Sequence, residues 1–155
     1  MPDATAHGTV ESIRRTEMQP NAYLFFPGSC REALTAYGNV FGTTPEIMAF
    51  SDAPADVQAA MPGVATDAVM HGTLPVGGGL LFASDNLFGE SAAMSGCDIT
   101  VSLPDDAETR RVFEALSQGG EIRSPLEPNF WTSLYAACTD RFGIRWMVMT
   151  DSAAP

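Results

Sequence analysis

The chain has 155 residues, 45% of them hydrophobic and 17% charged, which is the composition of a globular protein large enough to bury its own core. Nineteen acids against eight bases give a formal net charge of −11. That balance excludes nucleic acid as a partner, because phosphate binding needs clustered positive charge.

All eight bases are arginines, so Schiff-base chemistry on a lysine is excluded as well. No apolar run approaches the ~20 residues that a membrane-spanning helix needs. The N-terminus lacks the charged-then-apolar layout of a secretion signal, so the expected location is the cytoplasm. Cys30, Cys97 and Cys138 are widely spaced with no CxxC pair, which removes the zinc-knuckle and thioredoxin readings. Three reduced thiols, mostly buried, are expected.

Residues 1–17 are polar and small, without periodicity, and read as a mobile tail; His7 lies in it as a bystander. Residues 21–26 form an aromatic-rich strand closed by Pro27-Gly28. Ser29 followed by Glu32 has the spacing of a capping box. Cys30, Ala33, Leu34, Tyr37 and Phe41 recur at helical spacing and Gly42 ends the helix. A second strand covers 46–51. Residues 52–66, with two prolines, read as a loop or lid holding a short helical piece. Residues 68–76 and 80–84 form a hairpin around Gly77-Gly78-Gly79, a triplet without the Lys-Ser/Thr of a phosphate loop.

After a small-residue linker at 89–96 the pattern restarts. A strand covers 97–103, and Pro104-Asp105-Asp106 opens a helix whose acids suit its N-terminal dipole. Its apolar stripe is Val112, Phe113 and Leu116, before Gly119-Gly120. Ile122 opens a further strand. The runs SLYAAC and IRWMVM then flank the turn TDRFG, and alternation puts Ile144, Trp146 and Val148 on one side, Arg145, Met147 and Met149 on the other.

Both halves therefore read strand, helix, strand, strand, strand. Three anchor pairs relate them: NAYLFFPG with DITVSLPD, PEIM with GEIR, and GGLLFASD with FGIRWMVM. The expected fold class is α+β, with two βαβββ modules at 18–88 and 97–150 whose curved mixed sheets form a shared cleft, and a short tail at 151–155.

The segments PNAYLFFPGSCREALTAYGNVFG, VMHGTL, LFASD, DITVSL and FWTSLYAACTDRFGIRWMV resemble the vicinal oxygen chelate superfamily of glyoxalases, bleomycin-resistance proteins and extradiol dioxygenases. Within it they are similar to the PhnB-like branch, and together they cover most of 20–150. The resemblance implies the glyoxalase/bleomycin-resistance-type fold and a homodimer. It leaves the activity open, because one fold hosts many chemistries. Metal-using members place ligands on the first and fourth strands of each module. The anchor alignment puts Asn21, Ala83, Asp98 and Met147 there, and a one-residue slip would bring Ser84 or Asp85 into place instead. Only Asp98 suits a hard divalent ion, and a catalytic site in this style needs three protein ligands. No cofactor is expected, with a divalent metal on Asp98 as the alternative.

Among individual residues, His71 is the best general acid–base candidate by type, with a merely hydrogen-bonded histidine as the competing reading. Glu127 is a candidate base if it is buried beside Phe130 and Trp131. Arg145 among methionines demands a carboxylate, either Asp98 or Glu127 within the chain or one on a ligand. Tyr23, Trp131, Tyr135, Arg145 and Met147, with His71, are the expected pocket lining. No Gly-x-Ser-x-Gly, HExxH, Walker or dinucleotide sequence occurs. The function expected is metal-independent binding of a small molecule, with the acidic charge favouring a cationic compound in the bleomycin-resistance manner. The alternatives are a divalent-metal lyase, isomerase or dioxygenase-type enzyme, a His71/Glu127 acid–base catalyst, and a structural dimer with a vestigial cleft.

Overall fold

The computed structural model describes residues 18–151; the expected tail at 1–17, and all but the first residue of that expected at 151–155, lie outside the described residues. The first half comprises β1 (Ala22–Phe26), α1 (Cys30–Phe41), β2 (Glu46–Ala49), α2 (Ala55–Ala60), β3 (Val69–Val76) and β4 (Gly79–Asp85). The second comprises β5 (Ile99–Leu103), α3 (Asp106–Ser117), β6 (Glu121–Glu127), β7 (Tyr135–Thr139) and β8 (Arg145–Thr150). Each half builds a four-stranded mixed sheet, in the orders β1-β4-β3-β2 and β5-β8-β7-β6. In both, the first strand runs parallel to the last and the remaining pairs are antiparallel. The duplication read from the sequence is thus present strand for strand.

Two local expectations change. The strand expected over 46–51 stops at Ala49, because Phe50–Asp52 turns into a 3₁₀ helix and Asp52 accepts the Ala49 N–H at 2.8 Å. The Ser29/Glu32 capping box does not form; Ser29 makes no capping hydrogen bond. Asp85 takes over, accepting from the Cys30 N–H at 3.0 Å and from the Val69 N–H at 2.8 Å. The cause is the parallel pairing of Phe26 with Asp85, which brings the end of β4 beside the start of the helix. A carboxylate delivered from 55 residues away then supplies the acceptor that the helix terminus needs. In the second half Asp105 caps α3 itself, accepting the Glu108 N–H at 2.8 Å, and the last strand reaches the helix through side chains. Thr150, paired with Leu103, hydrogen-bonds Thr109 at 2.9 Å and Asp106 at 2.6 Å, fastening α3 to the last strand.

The two halves share one core. Leu24, Phe26, Leu34, Tyr37, Val101, Phe113, Trp146 and Val148 belong to a single buried cluster, and the rings of Tyr37 and Trp146 meet edge to face at 5.2 Å. Beneath them lies Asp140, in the turn between β7 and β8 and only 6% exposed. One of its oxygens accepts the backbone N–H groups of Phe142 at 2.8 Å and Ile144 at 2.9 Å. The other accepts Tyr37 Oη–H at 2.5 Å and Trp146 Nε1–H at 2.8 Å. Burial, and then Asp140 itself, push the Tyr37 phenol far above its ordinary range, so it stays a donor. This carboxylate closes the turn and ties α1 of the first half to β8 of the second.

Cys30 and Cys138 are buried and Cys97 is exposed. Burial raises the Cys30 thiol to about 12 and the Cys138 thiol to about 11, with Asp85 and Asp140 respectively adding to the effect. Neither forms much thiolate near neutral pH. Native protein treated with a thiol reagent at pH 7.5 should therefore label at Cys97 alone, and at all three positions once unfolded. Rapid native labelling of Cys30 or Cys138 would contradict the packing described. No helix among the described residues is long and apolar enough to cross a membrane.

Candidate functional site

In each sheet one set of alternating side chains meets the helices and the other set does not. On the first sheet Leu24, Phe26, Leu74, Leu81 and Ala83 are buried, whereas Tyr23, Phe25, Met48 and Leu80 are exposed. Cross-strand pairing puts Tyr23 beside Phe82 and Met48 beside His71, so these residues share the open face. The rings of Tyr23 and Phe82 lie 6.4 Å apart, and each lies within 6 Å of His71 (5.7 and 5.4 Å). Tyr23 Oη sits 3.2 Å from His71 Nδ1, and Thr73 Oγ1 lies 3.3 Å from its Nε2. Both ring nitrogens of His71 therefore face hydroxyls rather than a carboxylate.

On the second sheet Trp146 and Val148 are buried while Arg145, Met147 and Met149 take the opposite face, as alternation predicts. Met147 lies between Thr100 and Ala137, and Met149 pairs with Tyr135. Trp131, in the loop before β7, stacks edge to face on Tyr135 at 5.7 Å, and Phe130 packs on Trp131 at 4.7 Å. Phe130 is 95% exposed.

The charged centre of this face is Asp98. Arg145 Nε donates to one of its oxygens at 2.6 Å, and Arg123 Nη2 donates to the other at 2.8 Å. Burial alone would raise the Asp98 carboxyl, but the hydrogen bonds and charges of Arg145 and Arg123 outweigh it and hold the group below the usual carboxylate range. Arg145 thus has the carboxylate that its apolar neighbours demand, and Asp98 rather than Glu127 supplies it. Arg123 is a residue that sequence reasoning missed. The β6–β7 register slips between Ile122 and Ser124, and this bulge frees Arg123 to reach Asp98 and the carbonyls of Cys138 and Trp146.

The sequence-selected residues thus form two groups on two sheets: Tyr23 with His71, and Asp98, Trp131, Tyr135, Arg145 and Met147. Glu127 is exposed at the end of β6, so the burial that would make it a base is missing, and it is not a partner of His71. Two surface concavities lie elsewhere. One, of about 1160 Å³, runs between the first turns of α1 and residues 63–68 and 85–91. The other, of about 500 Å³, lies between the β3–β4 turn, β5 and α3. Neither is lined by any of these sequence-selected residues.

The anchor alignment of β4 with β8 was one residue out. Tyr23 pairs with Phe82 and Thr100 with Met147, so Phe82, not Ala83, is the counterpart of Met147. Ala83 is fully buried against the helices, and Asp85 is committed to the α1 terminus. With both oxygens of Asp98 held by guanidinium groups, the four family positions do not compose a ligand set for a hard metal ion. No group of three or more His, Cys, Asp or Glu able to hold a metal occurs among the described residues.

Two mixed βαβββ sheets with these open faces define a protein of the glyoxalase/bleomycin-resistance fold. A glyoxylase/bleomycin resistance protein/dioxygenase domain from Frankia sp. EAN1pec shares it, with a TM-score of 0.61 at 14% identity over 91% of this chain and 96% of that one. The chain belongs to the family described as 3-demethylubiquinone-9 3-methyltransferase, the PhnB-like branch of the vicinal oxygen chelate superfamily, whose profile matches residues 19–149. It is similar to protein PA1353 from Pseudomonas aeruginosa, at 38% identity and a TM-score of 0.78, covering 86% of this chain and 98% of that one. It is also similar to the PhnB protein from Bacillus cereus, at 20% identity and a TM-score of 0.70, covering 85% and 98%. Protein YjdN of Escherichia coli (strain K12) is 25% identical over 147 residues, 89% of this chain and 99% of that one.

Proposed function

We propose that this protein binds a small molecule without a metal ion, as a homodimer in which the open face of the first sheet of one copy covers the open face of the second sheet of its partner. The observation that carries this reading is the exposure of large apolar side chains on faces that no layer among the described residues covers. Tyr23, Phe25, Met48 and Leu80 stand on the first sheet, with Trp131 and Phe130 beside the second. A contiguous patch of this kind marks a binding surface. The adaptable methionines and aromatic rings suit a cleft that closes on an apolar ring system. A pocket built this way would bring Tyr23 and His71 of one copy toward Tyr135, Arg145 and Met147 of the other.

The net charge of −11 favours a cation at long range. Salt confines that field to about 8 Å at physiological ionic strength, so the charges in the cleft itself govern the bound ligand. The test is thermal denaturation of chelator-treated protein against a library of aromatic compounds. At least one compound should raise the Tm by several degrees, about 2–3 kcal/mol at a hundredfold excess over Kd. Trp131→Ala should abolish that rise. A rise seen only after adding a divalent metal would overturn the metal-independent reading.

A further inference from the structure

The Arg123–Asp98–Arg145 group holds two guanidinium charges against one carboxylate. Asp98 is the most enclosed of the three, its side chain 13% exposed against 21% and 30% for the arginines. Its oxygens are each engaged, one by each arginine. Arg123 spends Nη2 on Asp98 and two carbonyls, and its buried Nε has no partner among the described residues. Among the described residues Arg145 uses only Nε, leaving its two terminal nitrogens without a partner there, on the face that carries Met147 and Met149. Glu121 shares the row of Arg145 through Thr139, two strands away at the sheet edge, exposed and in no ion pair with it. A guanidinium that shares a strand face with two methionines and has its Nε fixed by a carboxylate is preorganised to bind an oxyanion through its remaining N–H donors. Asp98 orients Arg145 and removes one of two positive charges, so one charge remains for a ligand.

We infer that Arg145, oriented by Asp98 and supported by Arg123, is the anion-recognition end of the pocket, and that the ligand is an aromatic or similarly apolar compound bearing a carboxylate or a comparable oxyanion. This rests on the reading that the open faces form the ligand pocket. The apolar body lies against Met147, Tyr135 and Trp131, and the acid group meets the terminal nitrogens of Arg145.

The test measures binding of three probes with the same ring, 2-naphthoate, 2-naphthylmethanol and 2-naphthylmethylammonium, by equilibrium dialysis against the intact protein. The carboxylate should bind at least about tenfold more tightly than the alcohol, and the ammonium most weakly. Arg145→Gln should remove the preference for the carboxylate while leaving the alcohol's affinity within about twofold, and Arg145→Lys should restore part of it. An unchanged melting temperature for Arg145→Lys keeps the comparison free of folding effects should Arg145→Gln unfold. Equal or tighter binding of the alcohol or ammonium would overturn the anion inference while leaving the pocket reading intact. Binding of none of the three would overturn the pocket reading and the inference with it.

Discussion

Asp140→Ala is expected to remove roughly 3–5 kcal/mol of folding stability, a large part of the ~5–15 kcal/mol that holds a domain of this size together. Four donors converge on this one carboxylate, two from the turn backbone, one from α1 and one from Trp146. Alanine leaves all four without an acceptor in a site that water barely reaches, and each unmet buried donor costs about 1–3 kcal/mol. Asp140→Asn grades the effect. It keeps an acceptor for the Phe142 and Ile144 amides but sets an amide donor against the Trp146 N–H, for a loss of about 2 kcal/mol. Tyr37→Phe removes a single donor and should cost about 1.5 kcal/mol. Urea unfolding measures all three. A loss under 1 kcal/mol for Asp140→Ala would show that the turn does not lock the two halves.

Gly120→Ala is the second large effect, and it acts on the same turn from the other side. A Cβ at Gly120 would stand 2.2 Å from the Thr139 carbonyl oxygen and 2.9 Å from Asp140 Cα and carbonyl carbon. All three are backbone atoms of the β7–β8 connection, so no rotamer change relieves the contact. The start of β6 must move away from β7, where Glu121 pairs with Thr139, and this should cost about 3 kcal/mol. Gly78→Ala is the matching control. Its Cβ would meet nothing within 4 Å, and the change should stay within about 0.5 kcal/mol. A Gly120→Ala chain as stable as Gly78→Ala would mean that the turn is looser than described.

The fold was legible because its signals are local. The helix stripe of α1, the Pro104-Asp105-Asp106 start of α3 and the alternation in IRWMVM each specify an element within a few residues, and the repeat of the whole series specifies the module pair. The site was legible only in part, because its determinants are registers and faces. AYLFF offers no polar–apolar alternation, so nothing in it tells that Leu24 and Phe26 turn inward while Tyr23 and Phe25 turn outward. The anchor pair GGLLFASD with FGIRWMVM aligns Gly79 with Gly143 and sets Ala83 opposite Met147, whereas pairing with β1 and β5 makes Phe82 the counterpart. That slip hid the ring at the middle of the first open face. Arg123 was invisible for a related reason: a bulge reassigns its face, and GEIRSP carries no mark of a bulge. Arg145 could be found because an arginine sharing a strand face with two methionines needs a partner wherever the strand lies.

The most direct test of the central claim is complementation between faces. Phe82→Glu puts a carboxylate in the centre of the first open face and Met147→Glu does the same on the second, and each variant alone should lose 2-naphthoate binding. Co-expressed with different affinity tags and purified over both, a dimer of the two variants places both changes in one pocket and leaves the other intact. The account predicts that such mixed dimers bind about one 2-naphthoate per dimer, with wild-type affinity. Failure to recover a mixed dimer, or a mixed dimer that binds none, would contradict it.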